Sequence, residues 1–217
     1  MRGILIAFEG IDGCGKSTQV TKLAKHILEL DKHNHILITR EPYKDTSIRK
    51  ILKSEDDPYS QAKKLATLFT NDRKLHFQEL ILPNLKNGIH VITDRFSFST
   101  FAYQQTQGIM LNELLNIHKG LKIPDLIFIV DTPVEVAMMR MKKDSIRTTE
   151  QKFEKEIEFI KKLRINYLNL ANLPNHNVVI IDGTKTIEEI FKQQIKPAFD
   201  KFYAQFQINL QKVVTHV

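Results

Sequence analysis

The chain has 217 residues, 42% of them hydrophobic and 26% charged, with a formal net charge of +7. This composition suits one soluble α/β domain with a real core; it excludes a low-hydrophobicity disordered chain, and the one cysteine, Cys14, excludes an intramolecular disulfide. The apolar run before Glu9 is too short for a signal-peptide core or a membrane span, so a cytoplasmic protein with no membrane partner is expected.

Residues 4–18, ILIAFEGIDGCGKST, organise the rest. Ile4 to Phe8 reads as a buried strand, and Gly10, Gly15, Lys16 and Ser17 match the G-x-x-x-x-G-K-S spacing of a phosphate-binding loop. An amphipathic helix follows, expected from about Ser17 to Leu30, with Val20, Leu23, Ala24, Ile27 and Leu28 on one face. Glycines let backbone N–H groups approach phosphates, and the helix start adds partial positive charge. The segment Gly10, Ile11, Asp12, Gly13, Cys14, Gly15, Lys16, Ser17 and Thr18 is thus expected to bind a nucleoside triphosphate, with Lys16 on the β/γ-phosphates and the Ser17 hydroxyl on Mg²⁺.

A second strand, Ile36–Ile38, delivers Thr39-Arg40-Glu41-Pro42 to the carboxyl edge of the sheet, where ligands of open α/β folds sit. A short helix over Ile48–Lys53 leaves Arg49 exposed. A helix from Tyr59 to Leu82, capped by Asp57-Pro58 and ended by Pro83, carries Phe69 and Arg73 on one face. Spacing alone reads that pair as a core phenylalanine beside a solvated arginine. Strands at Ile89–Thr93 and Asp125–Val130 end in Asp94 and Asp131, and either carboxylate could serve beside Ser17 at a metal. After a helix over Val134–Met141, the polar segment KKDSIRTTEQK carries Arg147 and reads as a lid, about 141–153. A helix over Gln151–Leu173, a strand at Val178–Ile181 and a helix from Thr186, bent or broken at Pro197, complete one domain, 1–217. The lysines are spread over several helices without interleaved aromatics, so no nucleic-acid partner is expected.

An ordered set of segments then carries a family resemblance over nearly the whole length: FEGIDGCGKST at 8–18, TREP at 39–42, LFTNDR at 68–73, DRFSFSTFAYQ at 94–104, PDLIFIVD at 124–131 and IDGTKTIEEI at 181–190. The chain resembles the thymidylate (dTMP) kinases. That resemblance implies a five-stranded parallel sheet with helices on both faces, transfer of the γ-phosphoryl group of ATP to dTMP on the route to dTTP, Mg²⁺, and a homodimer. It assigns thymine stacking to Phe69, base-edge contacts to Arg73 and Gln104, and the sugar to Tyr103. Arg49 and Arg95 would hold the acceptor phosphate, and Asp12 would lie near that phosphate and the 3′-hydroxyl. Glu41 and Ser99 join the substrate side, and Ser17 with Asp94 the metal. Catalysis would rest on Lys16, Arg95, Asp12 and a lid arginine.

The chain also departs from the family pattern. Gly13 follows Asp12, so the phosphate-loop arginine of some relatives is absent. Gln151-Lys152-Phe153-Glu154 stands where many relatives have Asp-Arg-(Phe/Ile)-Glu, and lysine lacks the planar fork of arginine. Arg140 and Arg147 are both candidates for the missing charge. Tyr43-Lys44-Asp45 replaces the usual glycines after TREP, and Phe96 the usual tyrosine. Broader use of dUMP or deoxypurine monophosphates is the nearer rival. A GTPase-type switch would need an N-K-x-D segment, which the chain lacks.

Overall fold

The computed structural model describes residues 2–54, 57, 59–143 and 157–214. The strands β1 (Leu5–Glu9), β2 (Ile36–Arg40), β3 (His90–Asp94), β4 (Leu126–Asp131) and β5 (Val178–Asp182) form one sheet in the order β2-β3-β1-β4-β5. All pairings are parallel. β1 is buried along its whole length, as a central strand covered on both faces must be, whereas the edge strands β2 and β5 leave Ile38 and Ile180 about half exposed. The chain leaves β1 for β2, beyond β3 on one side, and later crosses from β3 past β1 to β4 on the other. The carboxyl end of β1 therefore sits at the topological switch point, where a crevice opens.

Helix α1 (Lys16–Leu30) buries Val20, Leu23, Ala24 and Ile27 of the face expected from their spacing, but leaves Leu28, expected on the same face, 49% exposed. Next come α2 (Thr46–Ser54) and α3 (Ala62–His76). Asp57 does not cap α3: its carboxylate accepts from the Tyr59 N–H at 2.9 Å inside a separate turn, and Gln61, in left-handed conformation at φ 58°, leads into the helix. Nor does Pro83 end it. The helix runs on through a wide five-residue turn, Phe77–Ile81, into α4 (Leu82–Lys86).

The same device recurs near the C-terminus. A capping box of Thr186 and Glu189 starts α9 (Ile187–Glu189), a wide turn spans Ile190–Ile195, and α10 (Lys196–Val214) continues through Pro197. In both cases the residue before the proline bonds five positions back, Leu82 to Phe77 and Lys196 to Phe191. The extra residue in the turn moves away the carbonyl that the proline ring would otherwise strike. The remaining helices are α5 (Ser97–Thr106), α6 (Leu111–Ile117), α7 (Val134–Lys143) and α8 (Ile157–Leu170). The lid expected at about 141–153, with Arg147, lies almost wholly outside the described residues. Among those residues no helix is long and apolar enough to cross a membrane.

Candidate active site

The carboxyl ends of β1, β2 and β3 open into a cavity of about 940 Å³. Its walls run from the glycine loop and α1, past Arg95, to Phe69, Arg73 and Gln104. Seven lysine and arginine side chains line it against three carboxylates, an excess suited to polyanionic ligands.

The glycine loop is shaped by close approach. Gly10 and Gly13 have φ of 135° and 77°, and a Cβ on Gly13 would lie 2.4 Å from the Ala137 carbonyl of α7. With the backbone in this position, any side chain at residue 13 would collide with α7. No side chain caps α1 and no acidic residue sits in its first turn, so the helix start is left to an anion. Lys16 Nζ donates to the carbonyls of Gly10 (3.1 Å) and Ile11 (2.9 Å). Cys14 is buried beneath the loop, and burial pushes its thiol pKa up.

Two aspartates were expected to compete for the place beside Ser17, and the fold separates them. Ser17 Oγ donates to Asp94 Oδ2 at 2.6 Å. Asp131, on the opposite side of β1, is instead clasped by Arg164 at 2.5 and 2.9 Å. Among the described residues no three His, Cys, Asp or Glu side chains gather. A hydroxyl with one carboxylate is a hard oxygen set that fits Mg²⁺, an ion that retains waters and takes phosphate oxygens for its other places.

At the centre, Arg95 holds its backbone at φ 74°, a conformation that costs of order 1–3 kcal/mol in a non-glycine residue. Its guanidinium reaches Asp12 Oδ1 (2.5 Å), Ser99 Oγ (3.1 Å) and Tyr167 Oη (2.9 Å), and lies 5.4 Å from the centre of the Tyr103 ring. Beneath it Glu9 is 1% exposed and accepts from Phe96 N–H, Phe98 N–H and Ser99 Oγ, so a strand-end carboxylate caps α5 from a distance. Burial pushes the Glu9 carboxyl up, while the Ser99 hydroxyl and then the Arg95 and Arg73 charges pull it back down.

The far end is more tightly built. Phe69 is partly buried at the cavity wall. Arg73, which spacing alone placed in solvent, is 1% exposed: it donates to Glu41 Oε2 (2.8 and 2.6 Å), the Phe96 carbonyl (3.0 Å), Thr100 Oγ1 (3.0 Å) and His118 Nε2 (2.7 Å). Glu41 is thereby placed as the counter-ion of Arg73, with His76 Nδ1 at 3.2 Å on its other oxygen. The ring of His118 has one consistent tautomer. Nδ1 donates to the Leu114 carbonyl at 2.8 Å, so Nε2 accepts from the guanidinium. Burial, and then the Arg73 charge, lower the His118 pKa to about 3. Asp72 accepts from the backbone N–H groups of Tyr43, Lys44 and Asp45, which ties down the unusual segment after TREP.

Arg49 is exposed on α2 and lines the cavity, and Arg140 on α7 reaches the Cys14 carbonyl at 3.5 Å. The sequence reading missed Glu9, Asp72, His118 and Tyr167. Glu9 carried the strand-end signal used for Asp94; the other three are marked by no local pattern.

A phosphate loop at the central strand, facing a second cationic pocket across one cavity, defines a P-loop nucleoside monophosphate kinase. The sequence profile of the thymidylate kinase family matches residues 8–195. The thymidylate kinase of Fervidobacterium nodosum is 40% identical over 201 residues, covering 89% of this chain and 97% of its own length. The probable thymidylate kinase of Pyrococcus horikoshii is 37% identical over 196 residues, covering 88% and 93%. The chain belongs to the thymidylate kinase family, enzymes that pass the γ-phosphoryl group of ATP to dTMP.

Proposed function

We propose that this chain phosphorylates dTMP with the following division of labour. ATP lies with its phosphates on the loop from Gly10 to Thr18, and Lys16 turns from its loop carbonyls to the β/γ-phosphates. Ser17 and Asp94 would hold Mg²⁺, which would supply neutralisation of phosphate charge. Arg95, oriented by Asp12, Ser99 and Tyr167, holds the phosphate of dTMP, and Arg49 approaches it from α2. Tyr103 lies against the deoxyribose and Phe69 stacks on the base. Arg73 donates to the 4-oxo group, and Gln104 faces the imide N–H.

The nucleophile is a phosphate oxygen, anionic at neutral pH, so no strong base is needed. The enzyme's task is in-line positioning and neutralisation of charge on the transferring group. With glycine at position 13, the arginine for that group comes from the lid side. Arg140 supports this role through its place on the cavity wall; Arg147 lies outside the described residues. A cytoplasmic homodimer completes the reading, and light scattering of the purified protein tests the dimer.

The observation that carries this proposal is the single cavity, with a loop for a triphosphate at one end and Phe69, Arg73 and Gln104 at the other. The test is a coupled ADP-release assay with ATP and Mg²⁺, scanning dTMP, dUMP, UMP, dGMP, dAMP and CMP. Preference for dTMP by about tenfold, roughly 1.4 kcal/mol of transition-state discrimination, is expected. Equal use of several acceptors overturns the strict thymine assignment.

A further inference from the structure

The base end of the cavity contains a hydrogen-bond acceptor with nothing to accept from. Gln104 on α5 is 2% exposed and lines the cavity, and its Oε1 has no partner among the described residues. An amide in this position could turn over and present its NH₂ group instead. Here two bonds oppose that. Gln104 Nε2 donates to Gln107 Oε1 at 3.0 Å, and Gln107 Nε2 donates to the Ser60 carbonyl at 3.4 Å. A backbone carbonyl only accepts. It decides which end of Gln107 faces it, and Gln107 therefore offers its oxygen to Gln104. Turning Gln104 over would set two amide oxygens face to face.

We infer that Gln107 is a specificity-determining positioning residue, which holds the Gln104 amide so that its oxygen, and not its NH₂ group, reads the acceptor base. This rests on the proposal that the cavity end takes dTMP. Thymine presents an imide N–H beside its 4-oxo group, matching the Gln104 oxygen and the Arg73 donor. A cytosine ring presents an unprotonated nitrogen and an amino group there, so acceptor meets acceptor and donor meets donor. Gln107 touches no substrate and acts through Gln104. It sits at the end of α5, half-exposed, where its side chain can be changed without opening the core.

The test compares dTMP with 5-methyl-dCMP, which differ only along the edge in question. kcat and KM are measured for the wild type and for Gln107→Met, Gln107→Ala and Gln107→Glu, with ATP and Mg²⁺, and each variant's fold is checked by thermal melting. Methionine keeps the volume and removes the amide. Glutamate keeps an acceptor oxygen for Gln104 Nε2. In the Met and Ala variants, discrimination is expected to fall about tenfold or more. The change should come through a higher KM for dTMP and a lower one for 5-methyl-dCMP, with the KM for ATP unchanged. The Glu variant should keep discrimination within about threefold of wild type. A packing role gives the reverse order, Met retained and Glu lost, and overturns the inference. Unchanged discrimination in all three variants overturns it too, while dTMP phosphorylation by the wild type still stands. A wild type that does not phosphorylate dTMP removes the reading on which the inference rests, and the inference with it.

Discussion

The two ends of the cavity are built on different principles. At the acceptor end, charge is buried and held by protein partners: Arg73 is bonded to Glu41, Phe96, Thr100 and His118, and Glu41 also to His76. At the donor end, Lys16 rests on two carbonyls of its own loop and Arg140 reaches a third at 3.5 Å. The acceptor end is therefore pre-organised to recognise a base, and the same bonds stabilise the fold. The donor end holds its cations mainly on neutral loop carbonyls, with Asp12 Oδ1 at 3.9 Å from Lys16 Nζ, and phosphate oxygens outcompete these partners when the nucleotide arrives.

Mutations should separate these two designs. The largest effect is expected from Arg73→Ala, which leaves Glu41 buried without its counter-ion. It should cost about 3–5 kcal/mol of stability, read by urea unfolding, together with dTMP binding. Lys16→Ala should lower kcat by about 10²–10³, or roughly 2.7–4 kcal/mol in barrier, while stability stays within about 1 kcal/mol of wild type. If Lys16→Ala unfolds the protein as readily as Arg73→Ala, the contrast between the ends is wrong.

The metal assignment yields a paired comparison. Asp94→Asn should reduce kcat by about a hundredfold at saturating ATP and raise the Mg²⁺ needed for half-maximal rate. Asp131→Asn, across β1 from Asp94 and bound to Arg164, should stay within about threefold of wild type. Equal losses in the two variants would return Asp131 to candidacy.

The smallest effect concerns acid stability. The neutral His118 imidazole holds its folded pKa near 3, against an ordinary value of 6.5. Between those values the unfolded chain binds a proton that the folded chain does not. The stabilising contribution is present in full above pH 6.5 and is lost as pH falls towards 3. By pH 5 the loss should be about 2 kcal/mol. His118→Asn should flatten this part of the stability–pH curve, measured by urea unfolding at pH 5 and 7.5. A variant curve parallel to wild type would show that His118 is not held neutral against Arg73.

The sequence alone determined the sheet, the phosphate loop and the ordered motifs that carry the family. These signals are local: an apolar run makes a buried strand, and a glycine spacing makes a loop, because neighbouring residues suffice to form them. The sequence did not determine whether Asp94 or Asp131 stands beside Ser17, since both end apolar strands that flank β1 and only the side chains packed on them, Ser17 of α1 and Arg164 of α8, distinguish the two. Spacing alone misplaced Arg73 in solvent, because that arginine is neutralised by Glu41 on β2's trailing segment and bonded to His118 after α6, both distant in the chain. The sequence reading ended one helix at Pro83 and bent or broke another at Pro197, where one extra residue in the preceding turn lets each helix continue. Tertiary structure decided these points for one reason. A buried charge, a strand neighbour or a displaced carbonyl is set by groups brought together only when the chain is packed, and no spacing along the sequence records which groups those are.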